Sequence, residues 1–287
     1  MTSPAPLVAV PVRHWGRWVS GVLVLAGTAF VVNAFAHADV HWSTTRHYFT
    51  AHAIVQGAGR TLLISVLSQA LGIALGVVVA VMRQSGNPVT GAVGWVYIWF
   101  FRGTPVLLQL FLWYNLGIAF PTILGHRTVD VMTPFLAALL GLGINEGAYM
   151  AEIVRAGIAA VDEGQTEAAQ ALGMPRTLVM RRVVLPQAMR VIIPPTGNEF
   201  INMLKTSSLA FAIQYQELLR VATGIYTSNL QVWELLFTVA LWYLLLTSVF
   251  SIGQYYLERR FARGASRELP ATPFQRLRAN LTKAPRL

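Results

Sequence analysis

Residues 61–82 run for 22 positions without an Asp, Glu, Lys or Arg. As a helix that stretch would rise about 33 Å, enough to cross the roughly 30 Å hydrocarbon layer of a bilayer. Such a run must lie in lipid or inside a large protein shell, and this chain lacks the polar material for a shell. Of its 287 residues, 55% are hydrophobic and only 12% charged, about half the charged share of ordinary soluble domains. The mean hydropathy is +0.53. The same apolar and aromatic content excludes intrinsic disorder. Cysteine is absent, which removes disulfide scaffolds, Cys-ligated zinc, iron–sulfur clusters and thiol catalysis together. The expected fold class is an all-α integral membrane protein.

About six segments are apolar enough to be read as spans, at 18–36, 61–82, 104–120, 134–151, 191–211 and 234–256. Gly72 and Gly76 give the second a small-residue face suited to close helix packing. An aromatic stretch before the third (Trp95, Tyr97, Trp99, Phe100, Phe101) reads as an interfacial helix. The third and fifth contain Gly, Pro or charge. Residues 18–36 follow Arg13 and Arg17 as a signal peptide would, yet no convincing cleavage site follows Ala36 and the run is long enough to span.

The net charge of +10 is unevenly placed, with eight of the 22 Lys and Arg in the last 31 residues, directly after an apolar run. Basic residues beside spans mark the cytoplasmic side. Placing both termini inside puts 17 of the 22 there, leaving Arg46, Arg60, Arg127 and Arg220 outside and Lys205 within a span. No recognition motif accompanies the charge, so no nucleic-acid partner is expected. The basic tail at 263–287 is suited to anionic membrane lipid.

Between the fourth and fifth spans, Asp162 is placed to cap a helix with Gln165 as its reciprocal partner. Glu163 and Glu167 lie in the first turns, where the helix dipole favours acids. Gly173 is placed to end the helix in a left-handed conformation, and Pro175 to begin a second helix halted before Pro186. A short helix with Ala168 and Ala169 on one side is a device for docking into a partner's groove.

The pattern Glu167-Ala168-Ala169, Gly173 and Val183-Val184-Leu185-Pro186 resembles the EAA loop of ABC-importer permeases, with Val183 where Ile is more usual. Further segments resemble the polar amino-acid uptake branch of that family. They are Arg102-Gly103-Thr104-Pro105, Ala148-Tyr149-Met150-Ala151-Glu152, Pro194-Pro195-Thr196-Gly197-Asn198 and Leu204-Lys205-Thr206-Ser207-Ser208-Leu209. Thr206 stands where members often carry Asp, which removes an acidic group. The likeness covers about 57–261 and implies an ABC-importer transmembrane domain with a five-helix core plus one added N-terminal helix. The implied organisation is an N-terminal region at 1–56 with the extra helix, a permease core at 57–262 with the coupling loop at 162–186, and the tail at 263–287.

The resemblance further implies a membrane-spanning permease subunit that translocates polar or charged amino acids across the cytoplasmic membrane. Its partners would be a dimer of ATP-binding subunits, a second permease subunit and an extracytoplasmic amino-acid-binding protein. Glu163, Gln165, Glu167, Ala168, Ala169, Gly173, Leu185 and Pro186 would carry the coupling. ATP and Mg would sit on the partner, with no cofactor on this chain. The residues agree: a phosphate-binding loop needs Lys after Gly, and the two lysines, Lys205 and Lys283, follow Leu and Thr.

Polar residues inside apolar segments mark the solute path, because charge there costs several kcal/mol unless used or paired. Asn198, Asn202 and Lys205 fall at i, i+4 and i+7 on one helical face, with Glu199 beside it and Glu146 in the fourth span. Lys205 and Asn202 would hold a substrate carboxylate while Glu199 or Glu146 faces the ammonium; alternatively Lys205 pairs with one of those acids to tie helices. Glu152 and Arg155 are expected to brace the loop, and Arg102 to hold the third span at the interface by snorkelling. Six histidines without ligand spacing predict no metal site. A stand-alone secondary transporter of a small polar solute is the alternative, and the internal inverted repeat it would show is missing. No nucleophile–base pair or His-Glu-x-x-His motif points to an enzyme.

Overall fold

A computed structural model describes residues 15–261; the expected basic tail lies outside the described residues. The chain divides into two units, one up to Thr44 and one from Thr45. The first holds α1 (Trp15–Ala36) and the start of α2 (Trp42–Phe49). The second is helical apart from one small hairpin.

Its longest element is α3 (His52–Gln84), which packs along α8 (Pro134–Ala159). Glycines make that contact possible. A Cβ on Gly76 would lie 2.4 Å from the Met150 Cβ, and one on Gly143 would lie 2.7 Å from a methyl of Leu71. The two backbones therefore approach more closely than larger residues allow.

Between them in sequence come α4 (Pro88–Gly103) and α5 (Val106–Tyr114), bent by 102° at Thr104-Pro105. Proline cannot continue a helix, and its ring forces Thr104 into extended backbone (φ −115°, ψ 142°). The apolar stretch expected as a single span at 104–120 is thus the second arm of a bent pair. After it come one-turn α6 (Leu116–Ala119), a hairpin of β1 (Thr122–Ile123) and β2 (His126–Arg127), and one-turn α7 (Thr128–Val131). Leu124 and Gly125 close the hairpin with φ of 50° and 80°, the two positive angles that a type I′ turn requires.

Beyond α8 lie α9 (Glu163–Ala171) and α10 (Arg176–Val179). The chain then passes through a π-helical turn, Met180–Val184, into α11 (Leu185–Thr206). The helix expected to halt before Pro186 does not stop there. Leu185 N–H reaches back five residues to the Met180 carbonyl, and the widened turn receives Pro186, whose missing N–H would break an α-helical ladder. A 3₁₀ segment (Ser207–Ile213) leads to α12 (Leu218–Asn229) and α13 (Val232–Phe261).

Among the described residues three helices are long and apolar enough to cross a membrane, α1, α3 and α13, and four spans result if the bent pair counts as one. The sequence pattern predicts about six. The difference lies in α8 and α11, each carrying three charged residues (Glu146, Glu152 and Arg155; Arg190, Glu199 and Lys205). One core cluster gathers Ile64, Leu110, Ala138, Leu142, Met203 and Ile213 around the bend. A second joins Ile54, Leu218 and Leu235.

Candidate translocation cavity and coupling loop

A cavity of about 530 Å³ opens where the bend, α8 and α11 meet. That volume falls within the roughly 300–1,000 Å³ of small-molecule sites. Each wall has its own logic. From α8 come Leu142, Asn145, Glu146 and Tyr149, and from α11 come Glu199, Asn202, Met203 and Thr206. Both sets are spaced i, i+3, i+4, i+7, so each is one helical stripe. The third wall is the bend itself, Arg102 to Val106, with Thr104 and Pro105 outside helix between the end of α4 and the start of α5.

Polar side chains hold the break open. The Phe101 carbonyl accepts from the Asn145 amide at 2.7 Å and from the Gln109 amide at 3.1 Å. Gln109 also donates to the Thr104 hydroxyl at 2.8 Å and carbonyl at 3.2 Å. Tyr97 donates to the Ile144 carbonyl at 2.6 Å, tying α4 to α8. These partners replace the bonds a continuous helix would make, as buried backbone polar groups require. α5 begins at Pro105 with no side chain capping its first N–H groups.

The electrostatics are unbalanced. Glu146 is only 5% exposed, and its Oε1 accepts from the buried Gln69 amide at 3.3 Å. Glu199 is half-buried and lines the same cavity. The cation of this cavity is Arg102, whose guanidinium sits 5.1 Å from the Tyr149 ring centroid, a cation–π contact. Sequence reasoning gave Arg102 a supporting role. The signal that would have found it is the helix-breaking Gly103-Thr104-Pro105 beside a charge inside an apolar stretch, the mark of a discontinuous membrane helix.

Of the expected path residues, the fold brings together Glu146, Glu199 and Asn202. Asn198 and Lys205 are exposed on the neighbouring face of α11 and do not line the cavity. Among the described residues Lys205 makes no ion pair; Arg155 pairs with Glu152 at 2.7 Å and Arg127 with Asp130 at 3.9 Å. The helix-tying role weighed for Lys205 is not observed. Thr206, where an acid was noted as missing, borders the cavity.

The loop between α8 and α11 has the cap and turn expected of it. Asp162 accepts from Gly164 N–H at 2.9 Å, one residue short of the anticipated Gln165 pairing. Gly173 (φ 80°) ends α9. Its N–H donates to the Gln170 carbonyl, and Met174 N–H to that of Ala169, the bond pair of a Schellman motif. Glu163, Gln165, Glu167 and Ala168 are exposed along α9, while Ala169 is buried against Val179 and Val184. The two alanines therefore part company, one offered outward and one anchoring the helix to its own loop. Leu185 and Pro186 are exposed at the start of α11.

A helical membrane protein with a polar cavity framed by a broken helix, and with a capped surface helix on the loop beside it, defines a permease. Residues 72–263 match the binding-protein-dependent transport system inner membrane components, and the chain belongs to that family. It is 48% identical over 275 residues to the arginine transport system permease protein ArgU of Corynebacterium glutamicum, covering 93% of this chain and 87% of that one. It is 38% identical over 208 residues to the glutamine transport system permease protein GlnP of Escherichia coli, covering 72% and 92%. Its fold matches the crystal structure of an amino acid ABC transporter with histidines at a TM-score of 0.70 and 36% identity, covering 78% of this chain and 100% of that one. The inward-facing MetNI methionine ABC transporter matches at 0.61 and 19% identity, covering 73% and 96%. As a member of that family, this chain is an inner-membrane permease component with several long apolar helices.

Proposed function

We propose that this permease conducts amino acids inward across the cytoplasmic membrane, and favours those with a cationic side chain. The observation that carries the reading is the cavity's charge, two carboxylates (Glu146, Glu199) against one guanidinium (Arg102). An α-amino acid needs donors for its carboxylate and an acceptor for its ammonium. Arg102 and the uncapped N-terminus of α5 supply the donors. One acidic group receives the ammonium and the other remains for a positive side chain. The relative named for arginine transport supports the same cargo.

In this reading five core spans (α3, the bent pair, α8, α11 and α13) join α1 to give six, with both termini inside. At about 39 Å and 33 Å, α8 and α11 are long enough to cross, and their charges face a cavity or a partner instead of lipid. A second permease subunit covers Asn198 and Lys205. A dimer of ATP-binding subunits takes the exposed side of α9 and holds ATP and Mg, this chain holding no cofactor. An extracytoplasmic binding protein delivers the solute.

The test purifies the tagged chain from its native membranes, as wild type and as Gly173→Asp, and reconstitutes what comes with it. An ATP-binding subunit retained by the wild type and lost by the variant is the expected result. ATP-driven uptake of arginine should be competed by lysine and not by glutamate. A wild-type chain that comes down alone and moves solute without ATP overturns the reading in favour of a secondary transporter.

A further inference from the structure

α11 has the coupling loop at one end and cavity residues at the other, and its hydrogen-bond ladder is interrupted in the middle. Pro194 and Pro195 lie inside it, so the carbonyls of Arg190 and Val191, four residues back, lose their intrahelical donors. A rod weakened there would absorb movement instead of transmitting it. One turn of α13 meets the break. The Gln254 side chain is buried, and its amide donates to the Pro194 carbonyl at 2.7 Å and to Glu258 Oε1 at 2.9 Å, using both of its protons. It reaches that position through the gap left by Gly197, where an added Cβ would fall 1.6 Å from the Gln254 Oε1.

We propose that Gln254 is a positioning residue that latches the proline break of α11 to α13, so that displacement of the coupling loop reaches Glu199 and Asn202 in the cavity. The proposal rests on the importer reading above. Three features carry it together: a helix with two missing bonds, a buried amide from α13 that fastens the carbonyl of Pro194 beside them, and a glycine whose missing side chain makes the room. Long-range coupling needs an element with two arrangements that both sites bias, and the break supplies it only if its far side is held. Gln254 touches no solute; it acts through α11.

The experiment uses the whole complex in proteoliposomes with its binding protein and measures solute imported per ATP hydrolysed. Gln254→Leu, which removes the amide, and Gly197→Ala, which displaces it, should each lower that ratio by about fivefold, the size of a typical coupling energy. ATP hydrolysis and the KM for uptake should stay within about twofold of wild type, which a merely structural defect would not allow. Adding Pro194→Ala and Pro195→Ala to Gln254→Leu should return the ratio to near wild type, because a continuous helix needs no latch. If one single variant fails to assemble, the other carries the measurement. The latch is overturned by an unchanged ratio, by uptake and hydrolysis falling in step, or by no recovery in the triple variant. A wild-type complex that imports nothing with ATP overturns the importer reading, and the latch with it.

Discussion

The Glu146 side chain occupies the space that a side chain on Gly72 would fill: a Cβ there would lie 2.5 Å from the Glu146 Cγ and 2.7 Å from its Cβ. A glycine on one long helix thus makes room for an acid on the next, and Gln69, one turn before Gly72, holds that acid's Oε1. Helix packing and the placement of the cavity's buried acid share a single contact.

Gly72→Ala should therefore weaken both. The overpacked contact is expected to cost about 1–3 kcal/mol, seen as a lower thermal midpoint in detergent, and to displace Glu146 so that uptake falls as well. A control at Gly59, where nothing lies within 4 Å of an added Cβ, should leave both unchanged. Equal effects at the two glycines would break the link between the contact and transport.

Glu146→Gln and Lys205→Met separate the cavity from the neighbouring face of α11. Removing the buried carboxylate should raise the KM for a cationic amino acid by about tenfold or more, the loss of roughly one charge-assisted hydrogen bond. Lys205→Met should leave KM within about threefold, because Lys205 lies off the cavity. Uptake kinetics in the reconstituted complex decide, and the reverse ordering would return the carboxylate-binding role to Lys205.

Gly173 is in the left-handed region at φ 80°, where an L side chain costs about 1–2 kcal/mol. Gly173→Ala should weaken retention of the ATP-binding subunit without altering the thermal midpoint of the membrane helices. Co-purification and a melting curve read the two effects apart. A loss of the whole complex would instead mean that the turn supports the bundle.

Glu217 is fully buried and caps α12, accepting from Arg220 N–H at 2.7 Å, Leu219 N–H at 2.8 Å and the Tyr243 hydroxyl at 3.0 Å. Glu217→Ala should cost about 2–3 kcal/mol, for a lost cap and stranded buried donors. Tyr243→Phe should cost about 1 kcal/mol. Combining them should give less than the sum, since both remove one shared bond. Strict additivity in a thermal-melt cycle would mean that the pair does not interact.

Much of this was legible along the chain. The capped helix at 163–171, its glycine turn and the small face on α3 follow from local chemistry, in which a few neighbouring residues settle the backbone. The bend at Thr104-Pro105 and the run of helix through Pro186 were harder. Both turn on whether other elements satisfy the backbone groups that a proline strands: Asn145 lies 44 residues from Phe101, and Pro186 is received by a π-helical turn that no local pattern announces. The sequence assigns Arg102 only an interfacial role and Gln254 none for the same reason, since Tyr149 and Pro194, which they meet, sit on other helices.

The division is clearest on α11. Sequence periodicity placed Asn198, Asn202 and Lys205 on one face, and that face exists. The cavity takes the stripe beside it, Glu199, Asn202, Met203 and Thr206, and Asn202 alone belongs to both. Composition and apolar run length by themselves determined that the chain lives in a membrane, because burying so much apolar surface has no other outcome at this length. The cap and glycine turn of the loop after α8 were determined locally too. Which side of each polar helix faces the cavity was decided only by tertiary structure, since rotating a helix by one residue changes nothing in its periodicity and everything in what it faces.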